Sequence, residues 1–338
     1  MISDFNNFAI KAHNSFSIDV YAKKFVQWED FGDLVNIFID NPPSKWIALG
    51  GGNNTLFCGD YDGVILNGVC SNIAITSQDK RSVGIRVDAG VEWDDLVEWA
   101  CQRGYWGVEN LSLIPGHCGA APIQNIGAYG VELKDVVKSV EMFHVENKTL
   151  STVSVDECRF GYRDSIFKRE LRGKVIITAI HLTLSKVPQP NLGYKDVEAE
   201  IALLGEVTLL NIRQAICNIR ERKLPSTKEF GNAGSFFKNP VVELSKAEEL
   251  KKMYPDIPLY PVPQDSGKVK LAAGWLIDKA GFKGYREGRV GVHDKQALVI
   301  INIGGATGEE ILALARKIER EVASLFGVSI EMEVNIVL

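Results

Sequence analysis

The sequence predicts an α+β protein of two or three domains. Strand-like and helix-like stretches mix along it without the strict strand–helix–strand repeat of a doubly wound nucleotide fold. At 338 residues the chain is long enough for more than one core. Two charge-poor, glycine-rich segments, 110–131 and 229–240, stand far apart in it and mark two places where backbone rather than side chain is presented.

The first helical pattern is Phe31, Leu34, Val35 and Phe38, whose spacing makes one apolar face, ended by Pro42 and Pro43. K-W-I-A-L then runs as a short strand into G-G-G-N-N-T-L-F, 50–57. This turn is neither a P-loop, lacking G-K-[ST], nor a complete G-x-G-x-x-G, because Thr55 stands where the third glycine belongs. It reads as an anion nest or as an ordinary turn. V-I-L-N (64–67) and S-V-G-I-R-V-D-A-G (82–90) follow as strands, the second half-buried by its alternation. Residues 92–103 form a helix with Trp93, Leu96, Val97 and Ala100 on one face and Gly104 beyond its end.

Next comes N-L-S-L-I-P-G-H-C-G-A-A-P-I-Q-N-I-G-A-Y-G-V (110–131), which holds no formal charge. Pro115 and Pro122 fix φ at two points and withhold two donors. So bare a segment suits a backbone cradle for a flat or anionic ligand, or a buried crossing between strands; composition leaves both open. His117, within it, is the histidine to examine.

Residues 136–145 alternate as a strand, and G-K-V-I-I-T-A-I-H-L-T-L (173–184) is the most strand-like run of all. Between them C-R-F-G-Y-R-D-S-I-F-K (158–168) sets arginines among aromatics. It is either a surface turn with Arg–Asp pairing or an arginine facing a carboxylate ligand, whose two oxygens a planar guanidinium matches. Residues 188–205 read as a linker with a short exposed loop around Tyr194. Residues 208–222 form a helix with Ile212, Ala215, Ile216 and Ile219 inward, and Lys223 follows. In G-N-A-G-S-F-F-K-N-P (231–240) Ser235 sits on a tight backbone, without a nearby histidine or the G-x-S-x-G frame of a hydrolase nucleophile. It is a hydrogen-bonding group, a proton donor or a turn serine. Residues 270–281 are expected to be helical, and Gln296 to enter a buried strand. The helix 307–326 opens with a Thr307/Glu310 capping box, buries Ile311, Leu314, Ile318, Val322 and Leu325, and closes at Gly327. A terminal strand would place Ile330, Met332, Val334 and Ile336 on one face, Glu331, Glu333 and Asn335 on the other.

Composition excludes some function classes. An apolar content of 46% with 24% charged residues is that of an ordinary soluble globular protein. A net charge of −5 with no like-charge run gives no reason to expect nucleic acid or a membrane surface as partner. The first residues have an early acid and no apolar core, which argues against secretion. Six scattered cysteines without C-x-x-C fit reduced thiols in a cytoplasm, and the five histidines show no metal-ligand spacing.

I-P-G-H-C-G-A-A-P-I-Q-N-I-G-A-Y-G, C-R-F-G-Y-R-D-S-I-F-K and G-N-A-G-S-F-F-K-N-P, in that order, resemble the motifs of the UDP-N-acetylenolpyruvoylglucosamine reductases, the MurB family. The resemblance runs from Ser15 to Val334. It implies a two-part FAD-binding domain of the PCMH/vanillyl-alcohol-oxidase type over residues 15–187, with subdomains near 1–70 and 71–187. A linker (188–206) carrying the Tyr194 loop would follow, then a smaller α+β substrate domain (207–334). The implied activity is reduction of an enolpyruvyl ether on a UDP-sugar to UDP-N-acetylmuramate, for peptidoglycan precursor synthesis and hence cell-wall growth, shape and division. FAD would be the cofactor and NADPH the co-substrate.

By the same resemblance FAD would lie against Gly50, Gly51, Gly52, Asn53, Asn54, Thr55 and Leu56. Asn53 departs from the serine of many members. FAD would also meet Ile114, Pro115, Gly116, Gly119, Ala121, Pro122, Gln124, Asn125, Gly127, Ala128, Tyr129 and Ile177. Arg163, Ser235 and Glu333 take the catalytic positions. Tyr129, Tyr194, Lys223, Asn239, Tyr260, Lys270 and Gln296 take those for the substrate. Tyr194 matches the tyrosine that closes over the diphosphate in one family subtype. Since no second dinucleotide fingerprint exists, NADPH and the UDP-sugar are expected to use one pocket in turn. The rival readings are a flavin oxidase with the same FAD domain but another substrate, and a non-catalytic nucleotide-sugar-binding protein.

Overall fold

In a computed structural model of the chain, residues 2–39, 42–262 and 265–338 are described. The chain divides into two compact units. The first comprises Met1–Phe8, Ala22–Gly52 and Asp62–Arg222, the second Ala9–Tyr21, Asn53–Tyr61 and Lys223–Leu338.

The first unit is built on a five-stranded antiparallel sheet, in spatial order Thr149–Ser154, Val137–His144, Val175–Ser185, Ser82–Asp88 and Ile73–Gln78. The run expected to be most strand-like is its centre. Ser82–Asp88 alternates buried and half-buried side chains, so Val83, Ile85 and Val87 face one core. Helix α2 (Trp93–Gln102) and helix α4 (Leu209–Lys223) pack their apolar stripes into that core through Trp93, Leu96, Val97, Ala100, Ile212, Ile216 and Ile219. A second sheet runs Ser3–Ala9, Tyr21–Trp28, Tyr61–Gly68, Trp46–Ala48. With helix α1 (Phe31–Ile39) it surrounds a smaller core of Trp28, Leu34, Phe38, Leu66, Phe143 and Ile176.

Residues 195–204, expected to be linker, form helix α3 (Lys195–Leu204). Pro188, Pro190 and Gly193 ahead of it look like punctuation. Its apolar stripe is only Val197 and Ile201, while Leu203 is exposed, so the local pattern is faint.

The second unit carries helix α5 (Leu244–Met253), helix α6 (Ala273–Lys279) and helix α7 (Gly308–Phe326). They accompany two three-stranded sheets, Val241–Glu243/Lys268–Leu271/Leu259–Pro261 and Arg286–Glu287/Val290–Val292/Ile300–Asn302. The α7 capping box is present, and Gly327 ends the helix with φ of 62°, a left-handed conformation that glycine adopts at no steric cost. Leu325 is exposed instead of buried; Phe326 turns inward in its place.

Three further expectations are corrected in this unit. Lys270 belongs to the strand Lys268–Leu271, paired on both sides, and the helix begins only at Ala273. Gln296 lies in the turn joining Val290–Val292 to Ile300–Asn302, where Val299 N–H donates to its carbonyl at 3.0 Å. The terminal stretch is a strand only at Asn335–Val337, paired in parallel with Thr55–Phe57. Upstream it makes one isolated bridge, Met332 to Phe237; Ile330 and Val334 are buried, but Met332 and Ile336 are half-buried.

Candidate functional site

In the first unit the strand Trp46–Ala48 delivers the glycine turn. The buried side chain of Asn67 holds that turn from below, its Nδ2 donating to the carbonyls of Leu49 (2.8 Å) and Gly50 (3.3 Å). In a trans peptide C=O and N–H point opposite ways, so the N–H groups of Gly50 and Gly51 face away from Asn67. Backbone donors turned outward together make an anion nest. Asn67 ends an apolar run in sequence, with nothing local to mark its role.

The bare loop lies against the same turn. A Cβ built on Gly50 would stand 3.2 Å from His117 Cβ and 3.5 Å from its Nδ1, so the His117 ring covers the turn. The loop is pinned along its other edge: Trp93 N–H to Gly116 O at 2.7 Å, Cys118 N–H to Val91 O at 2.8 Å, Gly119 N–H to Ala89 O at 2.9 Å. Gly119 leaves no room for a side chain, since a Cβ there would lie 2.6 Å from Ala89 Cβ. His117 Nε2 meets Glu92 Oε1 at 3.1 Å, and that bond, against the opposing effect of burial, holds the Glu92 carboxyl below its usual range.

Three non-glycine residues of the loop, Leu113, Asn125 and Tyr129, have positive φ of 58°, 47° and 48°. Side chains so held cost about 1 kcal/mol or more each and persist where the surroundings over-determine them. Asn125 shows how. Its buried amide donates to Glu132 Oε2 and Gly161 O and accepts from Lys134 N–H, so only its backbone is left to meet a ligand. Ala121 and Ile177 are likewise buried, while Ile114, Gly116, Gln124, Gly127, Ala128 and Tyr129 are half-buried and Pro115 is exposed.

Tyr129 is the end of the loop where polar groups gather. Arg220 of α4 donates from Nε to Leu113 O at 3.1 Å and reaches the Tyr129 hydroxyl. Burial raises the Tyr129 phenol and lowers the Arg220 guanidinium from their ordinary values. The Tyr129 and Tyr194 rings meet edge to face at 5.8 Å. Asn110, buried beneath, donates from Nδ2 to both Tyr129 O (2.9 Å) and Asn191 O (3.0 Å), and Asn191 Nδ2 returns a bond to Gly130 O at 3.2 Å. Tyr194 thus packs on a neighbour yet keeps half its surface exposed. Arg220, Asn110 and Asn191 were not singled out from sequence.

Arg163 sits at the tip of a tight hairpin closed by Gly161 and Asp164, which exchange backbone bonds at 2.9 and 3.3 Å. Its φ of 55° puts a non-glycine residue where such a turn ordinarily takes glycine. Its Nη2 donates to Gly127 O at 2.9 Å, and its guanidinium lies 5.6 Å from the Tyr162 ring centre. The expected Arg–Asp pairing exists, but it joins Asp164 to Arg169 at 3.4 Å, and Arg159 pairs with Glu170.

In the second unit, residues 236–238 thread between two other segments. Phe236 N–H donates to Leu298 O, Glu333 N–H donates to Phe236 O, both at 2.8 Å, and Lys238 N–H donates to Glu331 O at 2.9 Å. Ser235 and Glu333, both half-buried, are therefore drawn onto adjacent, paired stretches of main chain. Glu331 is exposed and paired with Lys238. Asn54 Nδ2 reaches Glu333 O at 3.3 Å, and Asn335 bonds back to Asn54 O, so the Asn54 side chain serves the terminal segment. Leu56 is wholly buried. Asn53 and Thr55 are half-buried.

Four substrate candidates gather near the start of α6. Asn239 Oδ1 accepts from Ala273 N–H at 2.9 Å, Lys270 stands opposite Tyr260 across the strand pair, and Gln296 Oε1 lies 3.4 Å from a Cβ built on Gly274. Lys223 closes α4. Among the described residues no cluster could hold a metal ion, all six cysteines are free thiols, and no helix is long and apolar enough to cross a membrane.

A nest of outward N–H groups with a side-chain-free loop against it fits a large anionic organic cofactor, and by its match to a family model the first unit is that of a flavin-binding protein. The profile of an FAD binding domain matches residues 32–152, and that of the UDP-N-acetylenolpyruvoylglucosamine reductase C-terminal domain matches residues 225–337. The UDP-N-acetylenolpyruvoylglucosamine reductase of Chromobacterium violaceum is 44% identical over 331 residues, covering 96% of each chain. That of Flavobacterium johnsoniae is 41% identical over 335 residues, covering 98% of this chain and 99% of its own. The crystal structure of the Thermus caldophilus enzyme shares the fold, with a TM-score of 0.69 at 22% identity over 99% of this chain and 98% of that one. The chain belongs to the UDP-N-acetylenolpyruvoylglucosamine reductase family.

Proposed function

We propose that this chain reduces the enolpyruvyl ether of UDP-N-acetyl-3-O-(1-carboxyvinyl)glucosamine to UDP-N-acetylmuramate, with NADPH as hydride source, as a step of peptidoglycan precursor synthesis in the cytoplasm. Protein side chains cannot carry a hydride, and bound FAD supplies that chemistry. Gly50–Gly52 and the loop 114–129 would hold it, with residues 15–187 as the cofactor domain and 207–334 as the sugar domain.

Hydride addition to the terminal carbon leaves negative charge on its neighbour, shared with the carboxylate. The Arg163 guanidinium matches that carboxylate in shape and sign and stabilises the charge as it develops. Glu333, in its protonated form, donates to the same carboxylate. The Ser235 hydroxyl gives its proton to the charged carbon. A serine is a weak acid, so position must supply much of the gain. Tyr194, Lys223, Asn239, Tyr260, Lys270 and Gln296 would bind the UDP-sugar, Tyr129 would adjoin both ligands, and NADPH would take the sugar's place in alternate half-reactions. What most directly supports these roles is the bond from Glu333 N–H to Phe236 O, which brings two distant candidates onto neighbouring main chain.

The test is a flavin titration. The purified protein should absorb near about 450 nm, bleach with NADPH and regain colour on adding the enolpyruvyl sugar anaerobically. Recolouring by oxygen but not by the sugar would favour an oxidase. A colourless protein that binds the sugar would be a binding protein.

A further inference from the structure

His117 is the only side chain of the turn 50–52 and the loop 110–131 that can become a cation. The bond to Glu92 fixes its orientation: with a carboxylate on Nε2, that nitrogen carries the hydrogen. Nδ1 is then the nitrogen beside the glycine turn, 3.5 Å from where a Gly50 Cβ would be. There the N–H groups of Gly50 and Gly51 also turn away from Asn67. The ring itself is only 16% exposed.

We propose that His117, as an imidazolium braced by Glu92, donates from Nδ1 to the pyrophosphate of FAD. The proposal rests on the FAD reading of this site, and pyrophosphate is the anionic part of that cofactor. The charges facing the ring agree in sign. Glu92 touches it from the head of α2, and Asp95, one turn along, acts on the adjoining Cys118. Residues 49–52 bring no titratable group, and in the loop Cys118 is buried and kept protonated by burial. Donating to Glu92 from Nε2 and to the pyrophosphate from Nδ1 at the same time takes a hydrogen on each ring nitrogen, so cofactor affinity is coupled to the second proton. A cradle of backbone donors alone would lack that coupling.

The test follows release of FAD from diluted holoenzyme by flavin fluorescence between about pH 5.5 and 8.5. The Kd of the parent should rise roughly tenfold or more as the ring loses its proton, the size expected of one charge-assisted hydrogen bond. H117N keeps a neutral donor near Nδ1, so its Kd should sit at the weaker level and stay flat. E92Q, without the carboxylate that braces the ring, should bind FAD more weakly than the parent at the acid end of the range. The phosphorus resonances of bound FAD should move with pH in the parent and stand still in H117N. A flat parental Kd, or an H117N profile that keeps the parental rise, overturns the proposal. So does H117A that weakens binding equally at every pH, since the ring would then only fill space. A parent that holds no FAD overturns both the proposal and the reading beneath it.

Discussion

Arg163 donates from Nη2 to the carbonyl oxygen of Gly127, at 2.9 Å, from a hairpin tip where its own φ is 55°. The bond ties the arginine to the bare loop while the backbone bears a left-handed residue. Replacing it separates structure from chemistry. Arg163→Gly relieves about 1 kcal/mol of backbone strain and loses one bond worth about the same, so its urea midpoint should stay near the parent's. Its turnover on the enolpyruvyl sugar should collapse. Arg163→Lys should lose roughly tenfold to a hundredfold, because a point charge does not replace a planar fork. Parental rates in the lysine variant would remove Arg163 from the mechanism.

Ser235 should matter to one half-reaction only. Ser235→Ala should bleach with NADPH at close to the parental rate, yet lose about 10²–10⁴ in reoxidation by the sugar, the range for a missing general acid. Stopped-flow measurement of each half-reaction decides. Equal losses in both would mean that the serine supports the turn after Gly234, whose φ is 67°, and does not transfer a proton.

The pattern of strands and the capped helix α7 was legible because each is written locally, in alternation or in Thr307 and Glu310. What escaped was written non-locally. Lys270 looks helical beside A-A-G-W-L-I, but pairing with Val241 and Tyr260 on either side holds it in a strand. Asn67, Asn110, Asn191 and Arg220 each act by bonding backbone far away in sequence, a role with no compositional signature. The motif residues Arg163, Ser235 and Glu333 could be named from resemblance. The strain at Arg163 and the main-chain link from Phe236 to Glu333 could not.

Asn191 offers a check on the Tyr194 segment. Its amide bonds Gly130 O, its Oδ1 accepts from Gly193 N–H at 3.2 Å, and its carbonyl receives Asn110. Asn191→Ala removes the first two while keeping the third, and so loosens the approach to Tyr194 and its tie to Gly130, while the bonds that pin Gly116, Cys118 and Gly119 stay in place. KM for the UDP-sugar should rise roughly threefold to thirtyfold, as expected for one or two neutral hydrogen bonds, with NADPH reduction of the flavin unchanged. A lower kcat with unaltered KM would place Asn191 elsewhere in the cycle.

Acid stability should depend on Asp94. Burial pushes its carboxyl up, but bonds from Arg213 at 2.7 and 2.9 Å and from Leu113 N–H outweigh that and leave it below the usual aspartate range. The same pairing raises the Arg213 guanidinium, so both partners report a favourable contact. For a group whose folded value is depressed, the stabilisation is present above the unfolded value of about 4 and disappears as pH falls through the folded one. The pair is partly exposed, so screening limits it to roughly 1–2 kcal/mol. Urea melts of the parent and Asp94→Asn between about pH 6 and pH 3 isolate this contribution from the other carboxylates. The parent should be the more stable at pH 6, and the gap should close toward pH 3. A gap that stays constant across the range would show that the charge of Asp94 contributes nothing, leaving only the shape of the contact.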